Sequence, residues 1–109
     1  MFEVLEMKYV YDKNKEKLSI DLDEELDVKS CRVLRSIIDG YIMKYEPKEF
    51  VMDLTNVEFM DSSGIGLLIG RYNLIKLFDT KMTIINATSS IKRILELSNI
   101  SSNICLRSE

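Results

Sequence analysis

The chain has 109 residues, 46% hydrophobic and 30% charged, a composition typical of one folded globular domain rather than a disordered or fibrous chain. Its net charge of -3 and scattered Lys and Arg residues make direct nucleic-acid binding unfavourable, because affinity for phosphate backbones comes from clustered cations. The chain has no histidine, which excludes a Ser-His-Asp triad, a His general base and a His metal ligand.

The start of the chain carries Glu3, Glu6 and Lys8 among its apolar residues, so it resembles neither a basic leader nor an uninterrupted signal segment. Nowhere do about eighteen apolar residues run together, as a membrane-spanning helix requires. We therefore expect a cytoplasmic protein without a membrane anchor. Cys31 and Cys105 form no C-x-x-C motif, so we expect two reduced, half-buried thiols and neither a disulfide framework nor a bound metal.

The first half of the chain predicts a hairpin, a long helix and a buried strand. Residues 2–11 and 18–22 have strand character, and the charged link between them predicts a hairpin. After Asp27, a candidate N-cap, apolar residues recur at helical spacing until Pro47 marks the end. Residues 50–54 form a nearly continuous apolar run, which is typical of a strand covered on both faces.

The second half of the chain alternates helices with strands. Apolar residues recur every three or four positions over residues 63–78, which predicts a helix, and a buried strand is predicted at 82–85. Ser89 or Ser90 can cap a third helix, and residues 103–106 are a candidate edge strand. Such alternation implies right-handed βαβ units, so we predict an α/β fold with a mixed sheet of about four to five strands and helices packed against it.

Two charged residues of the second predicted helix, Arg71 and Lys76, are expected to be solvated. Asp53, near the end of its strand, is expected to be a hydrogen-bonded interior or edge carboxylate, with a supporting role near Ser62 as the alternative. Five methionines are expected to be core residues, because their flexible side chains fill irregular gaps: Met7, Met43, Met52, Met60 and Met82.

The stretch F-M-D-S-S-G-I-G, residues 59–66, leaves the third predicted strand and opens the second helix, a place where sites form in open α/β sheets. One interpretation is structural: a serine caps the helix by accepting hydrogen bonds from first-turn amides, while Gly64 and Gly66 allow close backbone approach. Another is that a serine is a substrate, because phosphorylation would add roughly -1.5 to -2 charges at a helix start.

Two other functions compete with these interpretations. Without histidine a serine nucleophile would need a lysine base, and no S-x-x-K spacing occurs around these serines, so we do not expect an enzyme. The run Gly64, Gly66 and Gly70 could bind a nucleotide, although Ile69 occupies the third glycine position of the dinucleotide fingerprint. With Asn73, two of these glycines form a slim strip that is more typical of close packing against a sheet or a partner.

Three segments resemble the STAS family of anti-sigma factor antagonists. Residues 59–76 are similar to the family's phosphorylation loop and following helix, and residues 91–100 are similar to its third-helix segment. The sequence E-E-L-D, residues 24–27, resembles the family's G-E-L-D loop, which lies beside the phosphorylated serine. Glu24 replaces the glycine of that loop, and relatives usually continue into a final helix after the last strand. The resemblance implies one STAS domain over residues 1–109.

The resemblance implies a phosphorylation switch at Ser62, the first serine of D-S-S-G. Unphosphorylated protein would bind an anti-sigma factor that is itself a serine kinase of the GHKL ATPase class, which would free the sigma factor for transcription. The kinase would phosphorylate Ser62 with ATP and weaken the complex, and a manganese-dependent PP2C-type phosphatase would restore it. The resemblance also points to a role in sporulation.

The remaining site residues implied by the resemblance surround Ser62. Ser63 would help to cap the helix, and the docking surface would include residues of both loops and of the second helix: Asp27, Asp61, Ser63, Gly64, Gly66 and Gly70. The chain itself would need no cofactor, metal or catalytic residue. Two alternatives stay open: a constitutive STAS scaffold in which Ser62 only caps the helix, and a nucleotide-binding domain that uses the glycine run.

Overall fold

The computed structural model describes residues 8–23, 25–98 and 104–108. The described residues form an α/β fold whose elements are, in chain order, β1 (Lys8–Asp12), β2 (Lys17–Asp21), α1 (Val28–Tyr45), β3 (Glu49–Asp53), α2 (Ser62–Ile75), β4 (Lys81–Ile85), α3 (Ser89–Leu97) and β5 (Cys105–Arg107). The α/β prediction is therefore confirmed. Glu24, residue 103 and the first residues of the first predicted strand, 2–7, lie outside the described residues.

The strands form one mixed sheet with the order β1-β2-β3-β4-β5. β1 runs antiparallel to β2, which confirms the predicted hairpin, and the other neighbouring strands are parallel. Because β2 to β5 follow one another in chain order, right-handed crossovers place α1, α2 and α3 on the same face of the sheet.

The core lies between that face of the sheet and the three helices. Every second residue of β2, β3 and β4 is turned towards the helices and is at most 2% exposed: Leu18, Ile20, Phe50, Met52, Met82 and Ile84. The helices contribute apolar residues at helical spacing, among them Leu34, Ile38, Ile42, Leu68, Ile75, Ile91 and Leu95. Burial of this apolar surface fixes the positions of the helix ends that face the carboxyl edge of the sheet.

Two helix boundaries differ from the sequence prediction. The α-helical part of α2 ends at Ile75, and a short 3-10 turn, Lys76–Phe78, replaces its last predicted residues. The N-cap of α3 is Thr88, whose hydroxyl accepts the amide of Ile91 at 3.3 Å, so the prediction of a serine cap is wrong. Any hydroxyl or carboxylate can satisfy a first-turn amide, and the cap is the residue that stays extended before the helix.

The remaining predictions on single residues have mixed outcomes. Met52, Met60 and Met82 are buried as predicted, but Met43 is 56% exposed because it lies on the outer face of α1, so that prediction is wrong, and Met7 lies outside the described residues. Lys76 is exposed as predicted.

Asp53 is half-buried at the end of β3, and its Oδ1 accepts a hydrogen bond from the Thr55 amide at 2.9 Å. Both cysteines are free thiols, but Cys31 is buried and Cys105 is exposed, so neither is half-buried as predicted.

Among the described residues, no helix is both long and apolar enough to cross a membrane.

Candidate functional site

The loops that follow β2 and β3 lie side by side, because these strands are parallel neighbours and their carboxyl ends meet at one edge of the sheet. Leu26 and Met60 form a parallel β-bridge. The Leu26 amide donates to the Phe59 carbonyl at 3.1 Å, and the Asp61 amide donates to the Leu26 carbonyl at 3.2 Å. The structure thus brings the described part of the E-E-L-D loop against the D-S-S-G loop.

The start of α2 is capped by Asp61 and not by a serine. Its Oδ1 accepts a hydrogen bond from the Ser63 amide at 2.7 Å, and its carbonyl oxygen accepts the amides of Gly64 and Ile65 at 3.0 and 3.3 Å. The prediction that a serine caps this helix is therefore wrong. A carboxylate one residue earlier reaches the same amide and is also favoured by the positive end of the helix dipole.

The two serines of D-S-S-G occupy different environments. Ser62 is the first residue of α2 and is exposed, and within the described part of the chain nothing hydrogen-bonds to its hydroxyl. Ser63 is half-buried, and its backbone amide is held by the Asp61 carboxylate. The Ser62 hydroxyl is consequently accessible to another protein, whereas Ser63 contributes its main chain to the helix start.

The start of α1, which adjoins this loop, is closed by a reciprocal cap. Oδ1 of Asp27 accepts the Ser30 amide at 2.9 Å, while the Ser30 hydroxyl accepts the Asp27 amide at 3.2 Å and donates to the Glu25 carbonyl. The hydrogen bond from the Ser30 amide holds the pKa of Asp27 below its ordinary value. Asp27 is therefore an ionised, half-buried carboxylate beside the site, and part of its hydrogen-bonding capacity is used by its own helix.

The three glycines of α2 differ in their surroundings, and none of them has a positive φ. Gly64 is buried, and a Cβ at this position would overlap Met60 Cγ and lie 2.9 Å from Leu26 Cβ. At Gly66 and Gly70 an added Cβ would meet nothing within 4 Å. Of these three glycines, only Gly64 permits a close approach between described residues. The Gly66 and Gly70 strip therefore does not pack against the sheet, and its packing against a partner stays a prediction.

Arg71 of α2 is buried, with 6% of its surface exposed, so the prediction of a solvated side chain is wrong. Its Nε lies 2.7 Å from Oδ1 of Asp39 on α1. Neither atom meets hydrogen-bond geometry, so the contact is an ion pair between the two helices. Burial lowers the pKa of the Arg71 guanidinium, and the Asp39 carboxylate opposes that shift. The periodicity of one helix could not reveal this pair, because it depends on how α2 packs against α1.

A groove of about 350 Å³ lies between the first turns of α1 and α2. Arg32 and Arg35 border it on α1, and Ser63 and Gly66 border it on α2. Burial raises the pKa of the Cys31 thiol in the groove, with a smaller contribution from the negative charge of Asp61. This basic patch was not predicted from the sequence, because the cations are scattered along the chain. The signal was the spacing of three residues between the two arginines, which puts them on one helix face.

Comparison with known proteins identifies the family of this fold and site. The model of the STAS domain family matches residues 8–109. The chain belongs to the STAS domain family. A protein of Paenibacillus polymyxa named anti-sigma F factor antagonist is 32% identical to this STAS domain over 83 residues, which are 76% of this chain and 71% of that protein.

Solved structures share the fold of this STAS domain. The anti-sigma factor antagonist SpoIIAA in its unphosphorylated form superposes with a TM-score of 0.73 at 20% identity, over 93% of this chain and 86% of that chain. SpoIIAA of Bacillus in its phosphorylated form superposes with a TM-score of 0.71 at 21% identity, over 93% and 90% of the two chains. The predicted STAS fold is thus confirmed, while the assignment of the site residues stays a prediction.

Proposed function

We propose that this STAS domain is an anti-sigma factor antagonist that binds an anti-sigma factor while Ser62 is unmodified and loses that affinity when Ser62 is phosphorylated. The antagonist role is supported by the name of the Paenibacillus relative and by the fold shared with SpoIIAA. The switch is supported by the existence of SpoIIAA in unphosphorylated and phosphorylated forms. The observation that carries it in this chain is the exposed Ser62 hydroxyl at the first residue of α2.

The helix start explains how a phosphate would act. The amides of Ser63, Gly64 and Ile65 already donate to Asp61, so they are not available to neutralise a phosphate on Ser62. The added charge would stand at the surface beside the Asp61 carboxylate. A partner carboxylate within ~4 Å would then be repelled by an energy of order 4 kcal/mol at an effective dielectric constant near 20. A phosphate can therefore block the interface without any rearrangement of the domain.

The proposed docking surface consists of residues from both loops and the outer face of α2: Asp27, Asp61, Ser63, Gly64, Gly66 and Gly70. Gly66 and Gly70 have open space where a side chain would be, so a partner helix or loop can approach the backbone of α2 closely. Gly64 contributes indirectly, because it lets α2 begin against Leu26 and Met60.

The proposed partners follow from the resemblance. The anti-sigma factor would be a serine kinase of the GHKL ATPase class that phosphorylates Ser62, and a PP2C-type phosphatase would remove the phosphate. The domain itself would act in the cytoplasm as a binding module and not as an enzyme. A role in sporulation is part of this proposal, and the regulated sigma factor would be determined by the anti-sigma factor.

The first test is the intact mass of the protein after incubation with ATP and the anti-sigma factor kinase of the same organism. We expect a single added phosphate on the wild type and on Ser63→Ala, and none on Ser62→Ala. Ser63→Ala is a matched control because the helix uses the backbone amide of Ser63, which alanine retains. A phosphate on Ser62→Ala, or its loss from Ser63→Ala alone, would contradict the assignment.

The second test separates charge from size at the phosphorylated position. Ser62→Asp should lose affinity for the anti-sigma factor, whereas Ser62→Asn, which has nearly the same volume but no charge, should retain most of it. Calorimetric titration of both variants measures the difference. Wild-type affinity in both variants would instead favour a constitutive STAS scaffold, whereas an equal loss in both would show that size rather than charge at this position blocks the interface.

The nucleotide-binding alternative receives little support from the geometry. Gly64, Gly66 and Gly70 lie inside α2 rather than in a loop before it, and the first-turn amides that would bind a phosphate are occupied by Asp61. Titration of the purified protein with ATP at millimolar concentration would decide this alternative. Saturable stoichiometric binding of ATP would support the nucleotide-binding alternative, and a lack of saturable binding would exclude it.

A further inference from the structure

The groove between α1 and α2 has an unbalanced charge. Arg32 and Arg35 are exposed along one side, and neither forms an ion pair with another described residue. None of the described residues that line the groove is acidic. The protein as a whole has a net charge of -3, so this side of the groove is a local exception to its surface charge. Two unpaired guanidinium groups on one helix face are well placed to bind carboxylates, since each presents a planar fork of donors.

The neighbouring charges leave the two arginines available. Asp39 is the nearby carboxylate of α1, but it is paired with the buried Arg71. The positive charge of Arg35 is close enough to Arg71 to contribute to the lowered pKa of that residue. Neither Arg71 nor Asp39 lines the groove, and Asp39 is engaged by Arg71, so this carboxylate does not neutralise the two groove arginines. Asp27 and Asp61 are near Cys31 of the groove, but neither lines the groove, and each uses its carboxylate to cap a helix.

We propose that this groove is a docking site for an acidic segment of the anti-sigma factor, with Arg32 and Arg35 pairing with its Asp or Glu side chains. The identity of the partner rests on the proposed function, and the acidic nature of the occupant rests on the groove itself. A segment bound there would also contact Ser63 and Gly66, which border the groove on α2. It would lie one residue from Ser62, so that a phosphate on Ser62 would repel the same acidic segment.

Charge reversal tests this inference with a matched control. The variant Arg32→Glu/Arg35→Glu keeps two long exposed helix-forming side chains, and Lys92→Glu/Arg93→Glu makes the same change of net charge on the exposed surface of α3. The affinity of each protein for the anti-sigma factor is measured at low and at high salt. We expect about tenfold or greater weakening for Arg32→Glu/Arg35→Glu at low salt, a smaller loss at high salt, and less than about twofold change for Lys92→Glu/Arg93→Glu.

A second measurement does not need the anti-sigma factor. The isotope-labelled full chain is titrated with a short poly-glutamate peptide while the backbone amide signals are followed by NMR. The largest shifts should fall on Arg32, Arg35, Ser63 and Gly66, and they should disappear in Arg32→Glu/Arg35→Glu and in Arg32→Ala/Arg35→Ala. Shifts that persist in these variants, or that are equally large around Arg93, would overturn the proposed groove.

The two measurements distinguish the failure of this inference from the failure of the proposed function. If the wild type does not bind the anti-sigma factor, the proposed function fails, and the peptide titration still decides whether the groove selects acidic segments. If the wild type binds and charge reversal leaves the affinity unchanged, the groove is not part of that interface and the inference is wrong. A thermal melt of each variant verifies that the fold is retained.

Discussion

The starts of α1 and α2 lie on adjacent loops and use the same kind of cap, yet they place their hydroxyls differently. Each helix begins after an aspartate whose carboxylate accepts a first-turn amide. In α1 the third helical residue is Ser30, and its hydroxyl is held between the Asp27 amide and the Glu25 carbonyl. In α2 the third helical residue is Gly64, and Ser62 occupies the first position, where it is exposed.

This difference shows when a hydroxyl at a helix start is structural. A serine at the third helical position can reach back to the amide of the N-cap residue and complete a capping box, as Ser30 does. A serine at the first position has no such partner once an aspartate caps the helix. At α2 a side chain at the third position is also disfavoured, because Met60 and Leu26 occupy the space of a Cβ at Gly64. At the start of α1 the serine hydroxyl is therefore hydrogen-bonded within the domain, whereas at the start of α2 the Ser62 hydroxyl is exposed to solvent.

The largest expected effect on stability comes from removing the packing difference between the two starts. Gly64→Ala should lower the free energy of unfolding by roughly 1–3 kcal/mol, because the new methyl group overlaps Met60 and Leu26. This strain should exceed the gain of about 1 kcal/mol that alanine brings in helix propensity. Urea denaturation followed by circular dichroism measures the change.

Gly66→Ala is the control for this substitution, since it lies two residues further along the same helix with open space around it. It should stabilise the domain by roughly 0.5–1 kcal/mol, as expected for glycine replaced inside a helix. If both variants were stabilised equally, the tight contact of α2 with the loop of Leu26 would be disproved.

The sequence predicted the fold better than it predicted the site. Apolar periodicity and the alternation of elements were sufficient for the α/β sheet, because burial of whole helix faces dominates the packing. The caps were assigned to serines at α2 and α3, although Asp61 and Thr88 serve there, because adjacent residues of D-S-S-G and T-S-S can all accept an amide. Only the backbone at the helix start decides which of them does.

The interhelical features of the site could not be predicted from one sequence. The Arg71–Asp39 pair and the groove beside Arg32 both depend on the angle and register between α1 and α2, which no local pattern encodes. By contrast, the proximity of the E-E-L-D and D-S-S-G loops was implied by the resemblance. Parallel pairing of β2 and β3 supplies its physical cause.

A second, smaller effect on stability should distinguish Ser30 at the start of α1 from Ser62 at the start of α2. Ser30→Ala removes a hydroxyl that joins three residues of the α1 cap, and it should cost about 1 kcal/mol of unfolding free energy. Ser62→Ala removes a hydroxyl without a described partner, so the change should stay within about 0.5 kcal/mol. Parallel denaturant titrations of the two variants provide the comparison. A loss for Ser62→Ala as large as that for Ser30→Ala would mean that Ser62 has a structural role after all.

The smallest expected effect is a pH dependence that arises at the start of α1. Because the Ser30 amide lowers the pKa of Asp27 in the folded state, the folded protein binds a proton at this carboxylate less readily than the unfolded chain does. The resulting stabilisation is present above the unfolded pKa, and it is lost as the pH falls below about 4 and through the folded pKa. Asp27→Asn keeps an oxygen that can accept the Ser30 amide but does not titrate. The difference in unfolding free energy between wild type and Asp27→Asn should therefore shift in favour of the variant as the pH is lowered from neutral to about 3. Stability curves of the two proteins measured against pH provide the test. A difference that stays constant over this pH range would contradict the prediction, because it would mean that the negative charge of Asp27 adds nothing to the cap of α1.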